Sequence, residues 1–599
     1  MGKPIDFLWR YDFAMTPAEI WPHIADTSRL NQAIGLGQRQ HKEVDGVVYV
    51  TDALLGLTQE WIEEPWEWVA GNYFYIRRRF SRGCGRYLRA INQVVERPDG
   101  NGITLYIYTG WIPRNAFWRL ALSVGMPSFG RKIGRALKEF TEHSAANPQE
   151  STDETGQKTP RGRTFGRSAE RRLSQVRSEL LTKGISASAI EHLVTHIRRA
   201  DALDLDRIRI VPLALKWRVP IDALLKVCLH ATRLGLLNLT WDLICPHCRG
   251  VRTESSSLSE LRPEGHCDIC KISFDTAAPD AFEVTFHVHP SIHQAPKTLY
   301  CSAEPAKKPH VIVQKMVTGG GSLEFPAKLS AGRHRFRVIG GEPSVVLDVN
   351  PDSDTTRLAW NGIAPQQVTV APKLAIKLDN PEKTARCFVL EELRWHSDAL
   401  KPGAIFALPE FRDLFSEEYL AVDVKLDLGQ QTIVFTDIVG STRFYEMCGD
   451  ARAFKDVRAH FKEIDDIVRQ TGGIVVKTIG DAVMSAFTTP HSAVDAAVAI
   501  QNRFPPQESA DAIRVRVSAH TGPVIAVSLN TGIDYFGNTV NFAAKLQARA
   551  GAGQIAVSQV FYDTVADYGQ TLDQLTVHED SFTAPGRSSA DRVYVIAVG

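Results

Sequence analysis

Two carboxylates in the last third of the chain stand where metal chemistry would need them. Asp437 ends the apolar run Thr432-Ile433-Val434-Phe435-Thr436 and opens the turn Asp437-Ile438-Val439-Gly440-Ser441-Thr442. Asp481 closes a second turn, Lys477-Thr478-Ile479-Gly480-Asp481, after the apolar Ile474-Val475-Val476. One Asp after a strand can be no more than a helix cap. Two of them, each ending an apolar strand, supply the hard oxygen ligands that a pair of divalent cations takes, with Mg²⁺ or Mn²⁺ the suitable ions. A third stretch, Asp534-Tyr535-Phe536-Gly537-Asn538-Thr539-Val540-Asn541-Phe542-Ala543-Ala544-Lys545, carries polar groups fit for a base, a ribose and a phosphate. Asn541 and Lys545 are four apart in a helical pattern and so share a face.

A second constellation lies mid-chain. Cys245-Pro246-His247-Cys248 and Cys267-Asp268-Ile269-Cys270 are separated by eighteen residues. That spacing suits a zinc ribbon, in which Cys245, Cys248, Cys267 and Cys270 fill a tetrahedral shell. With no position left for water, the Zn²⁺ is expected to be structural; a redox pair is the alternative. His247 and His266 are bystanders. The remaining five cysteines (Cys84, Cys228, Cys301, Cys387, Cys448) read as plain thiols of a reducing compartment.

The elements around the two Asp residues read β-α-β-β-α-β. Strand 431–436 leads through Ser441 and Thr442, as caps, into one helix reaching about residue 471. Strands 474–477 and 482–487 form a hairpin, followed by helix 490–503, strand 514–520 and helix 538–550. With the two acidic turns and the third stretch, residues 425–599 resemble the catalytic domain of class III adenylate/guanylate cyclases, a ferredoxin-like fold.

The resemblance implies attack of the ribose 3′-hydroxyl on the α-phosphate, release of pyrophosphate, and two metals per site. It assigns the metals to Asp437, Asp481 and the carbonyl of Ile438. It assigns purine reading to Lys477 and Asp534: a Lys donor and an Asp acceptor complement adenine, while guanine would call for the opposite polarity. ATP is therefore the implied substrate and cyclic AMP the product. Asn541 matches the position that orients the ribose. Where the family almost always has Arg, this chain has Lys545, which keeps the charge but loses the two-pronged donor. Arg516 matches a position that contacts terminal phosphates in some relatives. The family builds its site across a dimer interface, so one chain holding all six positions implies a homodimer. The alternatives are a guanylate cyclase, or a catalytically weak cyclase-like ligand sensor or scaffold, which Lys545 alone suggests.

Ahead of this domain, residues 5–145 begin with strand 7–13 and a helix whose start carries a capping box, Thr16 with Glu19, and Pro17 in its first turn. Strands 47–52, 56–63, 67–80, 86–96 and 102–111 and a long helix 117–143 follow. That order resembles the START/SRPBCC helix-grip fold. The order of elements and their many aromatics point to a pocket for a small hydrophobic or acidic ligand, with Arg77, Arg79 and Arg89 as anchors, and to a regulatory role; the alternative is a filled core with these arginines on the outer face of the sheet. Residues 146–168 read as a polar linker. Residues 169–242 read as a winged-helix-like unit; its helix 221–233 carries Lys226, His230 and Arg233, too few polar groups for DNA reading, so it is expected to pack. The ribbon spans 243–275, and regularly spaced strands over 280–401 suggest a β-sandwich. This order resembles a module of uncharacterised function found amino-terminal to some bacterial cyclase domains.

The fold class expected is thus multidomain α+β, in keeping with 599 residues, too many for one core. Net charge is +1, so no global field favours nucleic acid or an anionic membrane. No apolar run reaches the ~18 residues of a spanning helix, and the first residues lack the apolar core of a signal peptide. A cytoplasmic protein is expected.

Overall fold

The computed structural model describes residues 3–36, 39–44, 47–54, 57–145, 165–200, 202–278, 280–293, 304–341, 344–363, 366–393, 398–421, 423–506, 512–529, 532–566, 575–583 and 590–598. Most of the expected linker, 146–168, lies outside them. Its end is helical, because the helix Arg167–Leu181 starts there.

The first unit is an antiparallel sheet in which Ile5–Phe13 pairs with Ile103–Pro113, then Gly85–Glu96, then Tyr73–Arg82. The capping box forms: Glu19 N donates to Thr16 Oγ1, and Thr16 N donates to Glu19 Oε2 at 2.8 Å. The helix Ala116–Ala145 lies directly on the rings of the first strand. A Cβ on Gly130 would come within 2.1 Å of the Trp9 ring, and one on Gly134 within 2.6 Å of the Tyr11 ring. Tyr11 Oη donates to the Gly130 carbonyl at 2.6 Å. Helix and sheet are packed closely at these two positions. The expected anchors are also engaged elsewhere. Arg77 pairs with Glu64 and Glu67, Arg79 pairs with Glu64, and Arg89 donates to Tyr108 Oη.

Two expected boundaries are corrected. The anticipated strand 67–80 breaks at Gly71 (φ 75°) into Glu67–Val69 and Tyr73–Arg82. The short piece pairs with Val311–Val317, so the first unit and the 280–401 region share one thirteen-stranded sheet. Trp68 Nε1 donates to the Val311 carbonyl at 3.0 Å, and Gln314 Nε2 to the Trp66 carbonyl at 2.6 Å. Both tryptophans are buried. A second sheet, Ser322–Lys328, Lys373–Asp379 and Arg357–Trp360, adds its apolar side chains to the same core as Phe336 and Phe388 of the first. Phe282–Val288 does not open this sandwich. It pairs with Leu237–Ile244, the strand that follows the helices.

Those helices are Arg167–Leu181, Ala187–Arg199, Ile210–Trp217 and Ile221–Arg233, the last two joined through Arg218 in the left-handed region (φ 55°). Lys226 pairs with Glu410 at 3.0 Å and Arg233 with Glu417 at 2.6 Å. Lys226 and Arg233 of this helix are thus held by residues just ahead of the carboxy-terminal domain. One buried cluster runs from Leu224 and Trp241 through Phe406 and Phe411 to Ile433, Phe435 and Tyr535. The helical unit and the carboxy-terminal domain therefore share a core.

The carboxy-terminal sheet centres on Leu426–Ile438, flanked by Ala482–Phe487 and Val515–Leu529. The single helix expected to reach residue 471 is two. Gly449 (φ 72°) separates Ser441–Cys448 from Asp450–Gln470, because no side chain is easily accommodated in that backbone conformation. The residue ahead of the first of them is Gly440, so Ser441 and Thr442 lie inside the helix rather than capping it. No helix among the described residues is long and apolar enough to cross a membrane.

Candidate active site

The strand Leu426–Ile438 carries Asp437 and Ile438 at its end. The neighbouring hairpin, Ile474–Ile479 and Ala482–Phe487, turns at Gly480 (φ 63°) and Asp481. Thr436 faces Val483 in register, so both carboxylates lie at the same end of adjacent strands. Asp481 Oδ2 is buried with no hydrogen-bond partner among the described residues. The Asp481 charge is felt by Tyr445 and by His460. Burial raises the Tyr445 hydroxyl and Asp481 adds to it; burial pushes His460 down to about 4 against the pull of Asp481. Asp437 is held differently, by Arg516, whose Nε donates to Oδ2 at 2.8 Å. An orphaned buried carboxylate oxygen beside an acid gripped by a displaceable cation is a donor set that fits a hard divalent ion.

Lys477 and Asp534 meet, as Lys477 Nζ donates to Asp534 Oδ2. Asp534 Oδ1 accepts from the Tyr535 amide at 2.8 Å. The short helix Pro409–Leu414 brings Arg412 to this pair. Its Nη1 donates to the Val476 carbonyl at 3.4 Å, and its guanidinium lies 5.8 Å from the centre of the Tyr535 ring. Phe411, Arg412, Phe415 and Glu418 line a cavity with Lys477 and Asp534. Sequence reasoning missed Arg412, Tyr445 and His460. Residues 409–419 form an amphipathic stretch in the sequence, but which surface it covers is set by the tertiary structure.

Asn541 and Lys545 lie on the exposed side of the helix Asn538–Leu546, while Phe542, Ala543 and Leu546 anchor its other side. Ser518 Oγ donates to the Ala543 carbonyl at 2.7 Å and fixes the helix over the sheet.

The four cysteines of the second constellation are brought together and buried. Their sulfur atoms all lie within 4.8 Å of one another. The His247 amide donates to Cys245 Sγ and the Cys270 amide to Cys267 Sγ, both at 3.4 Å. Arg249 and Lys271, just after each pair, adopt the left-handed conformation (φ 53° and 54°) that closes both turns alike. Four thiols so close cannot all keep ordinary protons: hydrogen bonding, most of all from Cys245, holds Cys248 far below the usual thiol range. The cluster has the geometry to bind a metal.

Comparison with known proteins places these features. Residues 425–596 match the family described as "Adenylate and Guanylate cyclase catalytic domain", and residues 173–305 match a family of unknown function (DUF5939). The chain is 30% identical over 203 residues to an adenylate cyclase of Neurospora crassa, covering 30% of this chain and 9% of that protein. It is 36% identical over 160 residues to an adenylate cyclase of Lachancea kluyveri, covering 22% and 8%. The chain thus spans under a tenth of the length of either curated relative. A solved structure of adenylate cyclases from Trypanosoma brucei in their monomeric state is 26% identical, covering 28% of this chain and 89% of that one, with a TM-score of 0.25. Residues 425–596 are thus similar to an adenylate/guanylate cyclase catalytic domain, a family that implies divalent metal in catalysis.

Proposed function

We propose that the protein is an adenylate cyclase that converts ATP to 3′,5′-cyclic AMP and pyrophosphate as a homodimer, under the control of its amino-terminal units. The observation that carries the purine choice is the contact of Lys477 with Asp534. A Lys donor and a carboxylate acceptor satisfy each other in the free chain. When they part, they match adenine N1 and the 6-amino group. Guanine would leave both unpaired, which a partly buried site penalises heavily.

Asp437, Asp481 and the Ile438 carbonyl would hold Mg²⁺ or Mn²⁺, which lowers the pKa of the attacking hydroxyl and neutralises the triphosphate. Arg516 keeps Asp437 oriented in the free chain and is then within reach of terminal phosphates. Asn541 orients the ribose, and Lys545 sets a positive charge beside the α-phosphate. The exposed apolar side chains of Phe454, Ile479 and Phe536 support the dimer reading, since a second subunit would cover them. Zn²⁺ in the four-cysteine cluster is structural, because four thiolates close the shell. Support for regulation comes from Arg412, which ties the segment ahead of the domain to the strand that bears Lys477.

The test is turnover of ATP against GTP by the purified full chain with Mn²⁺, with chromatographic identification of the cyclic product. Preferred turnover of GTP would overturn the purine assignment. Asp437→Ala and Asp481→Ala are each expected to lower the rate at least about a hundredfold. Wild-type rates in either would defeat the metal assignment.

A further inference from the structure

The three-stranded sheet Val251–Ser255, Leu237–Ile244 and Phe282–Val288 carries polar residues on one face, far from any role given above. Asp242 lies at its centre, fully buried at 0% exposure. Its Oδ2 accepts from Arg207 Nε and Thr285 Oγ1, both at 2.8 Å. Its Oδ1 is buried and has no hydrogen-bond partner among the described residues. Directly across the pair of strands stands Glu254, in register with Asp242. The two carboxylates are cross-strand neighbours on one face of the sheet. His287, on the other neighbouring strand, completes the group, and ligand atoms of Asp242, Glu254 and His287 lie within 4.8 Å of one another. Burial, with Glu254 adding to it, raises the Asp242 carboxyl to about 6, although Arg207 and Thr285 act against this.

We propose that Asp242, Glu254 and His287 bind a divalent first-row transition cation, at a site separate from both the four cysteines and the catalytic carboxylates. Two carboxylate oxygens and one imidazole suit Mn²⁺ or Zn²⁺ rather than a soft ion. The orphan Oδ1 of Asp242 becomes a ligand, and the opposed charges are neutralised. Glu254 and His287 also line a cavity of about 1020 Å³, so solvent or a ligand oxygen can fill the remaining coordination positions. Phe415 and Glu418 stand on another wall of that cavity and also line the one around Lys477 and Asp534. The cation would thus sit beside a segment that reaches the purine pair.

The test uses Mn²⁺, which the four thiolates do not favour. The full chain carrying Asp437→Asn and Asp481→Asn is titrated with Mn²⁺ by electron paramagnetic resonance, without nucleotide. One bound equivalent per chain is expected. Adding Glu254→Gln or His287→Ala should weaken it at least about tenfold, the loss that even an outer partner of a metal ligand can cause. Crystals of the unsubstituted chain soaked in Mn²⁺ should show an anomalous peak between the three side chains. No bound equivalent, identical titrations with and without Glu254→Gln, or no peak at that place would each overturn the proposal.

Discussion

Arg516 and Asp437 face each other across adjacent strands, and the guanidinium Nε lies 2.8 Å from the Asp437 carboxylate. The pair is partly exposed, at 35% and 17% of its side chains. A metal at Asp437 must compete with this contact. Arg516→Ala should therefore lower the Mn²⁺ concentration for half-maximal activity about fivefold, since such a pair is worth about 1 kcal/mol. Turnover should fall in the same variant through loss of a cation near the phosphates. Initial rates across a Mn²⁺ series give both numbers; an unchanged half-saturation would show that the contact does not compete.

Lys545→Arg should raise the turnover number and leave the Michaelis constant for ATP little changed. A guanidinium offers two parallel donors where an ammonium offers a point charge, and the difference counts when charge builds on the α-phosphate. The gain expected is about tenfold, equal to about 1.4 kcal/mol. A slower Arg variant would mean that the site is shaped around Lys.

Cys245→Ser or Cys267→Ser should each release one equivalent of zinc, read by elemental analysis, and lower the melting temperature. The damage should spread beyond the cluster. Arg249 Nη2 donates to the Glu392 carbonyl at 2.8 Å, and the Gly340 amide donates to the Cys270 carbonyl at 3.3 Å, so both turns are tied to the large sheet. Wild-type protein purified with no zinc would defeat the assignment.

Acid should destabilise the fold between about pH 6.5 and pH 4. Burial holds His247, His310 and His460 near 4, below their ordinary value of 6.5. In that window the unfolded chain binds more protons than the folded one, so stability is present above pH 6.5 and is lost as pH falls. His460 is the cleanest probe, since both ring nitrogens are buried without hydrogen-bond partners among the described residues. His460→Leu should flatten the acid limb of a melting-temperature profile by up to about 1.4 kcal/mol per pH unit. A parallel profile would show that His460 is protonated in the folded chain.

Several features were legible from short stretches because their chemistry is local. The capping box of Thr16 and Glu19 needs two residue types three apart, and it forms. The hairpin at Gly480 needs a glycine in a left-handed turn, which also carries Asp481 into place. Each of the two CxxC turns closes on its own backbone amides. Even locally, the reading of one helix to residue 471 failed: the amphipathic pattern continues across Gly449 although the backbone breaks there.

The sequence by itself therefore determined which residues could do chemistry and which elements bear them. Tertiary structure alone decided which elements meet. Glu67–Val69 and Val311–Val317 read as members of separate units, yet they pair and bury Trp68. Lys226 and Arg233 look like a basic helix face, yet Glu410 and Glu417 claim them. Arg412 reaches Val476, and Asp242 gathers Glu254 and His287, across distances no local pattern spans. The physical reason is that periodicity and turn chemistry act over a few residues. The choice of partner for a strand edge or a charged side chain is instead made by burial and electrostatics summed over the whole chain.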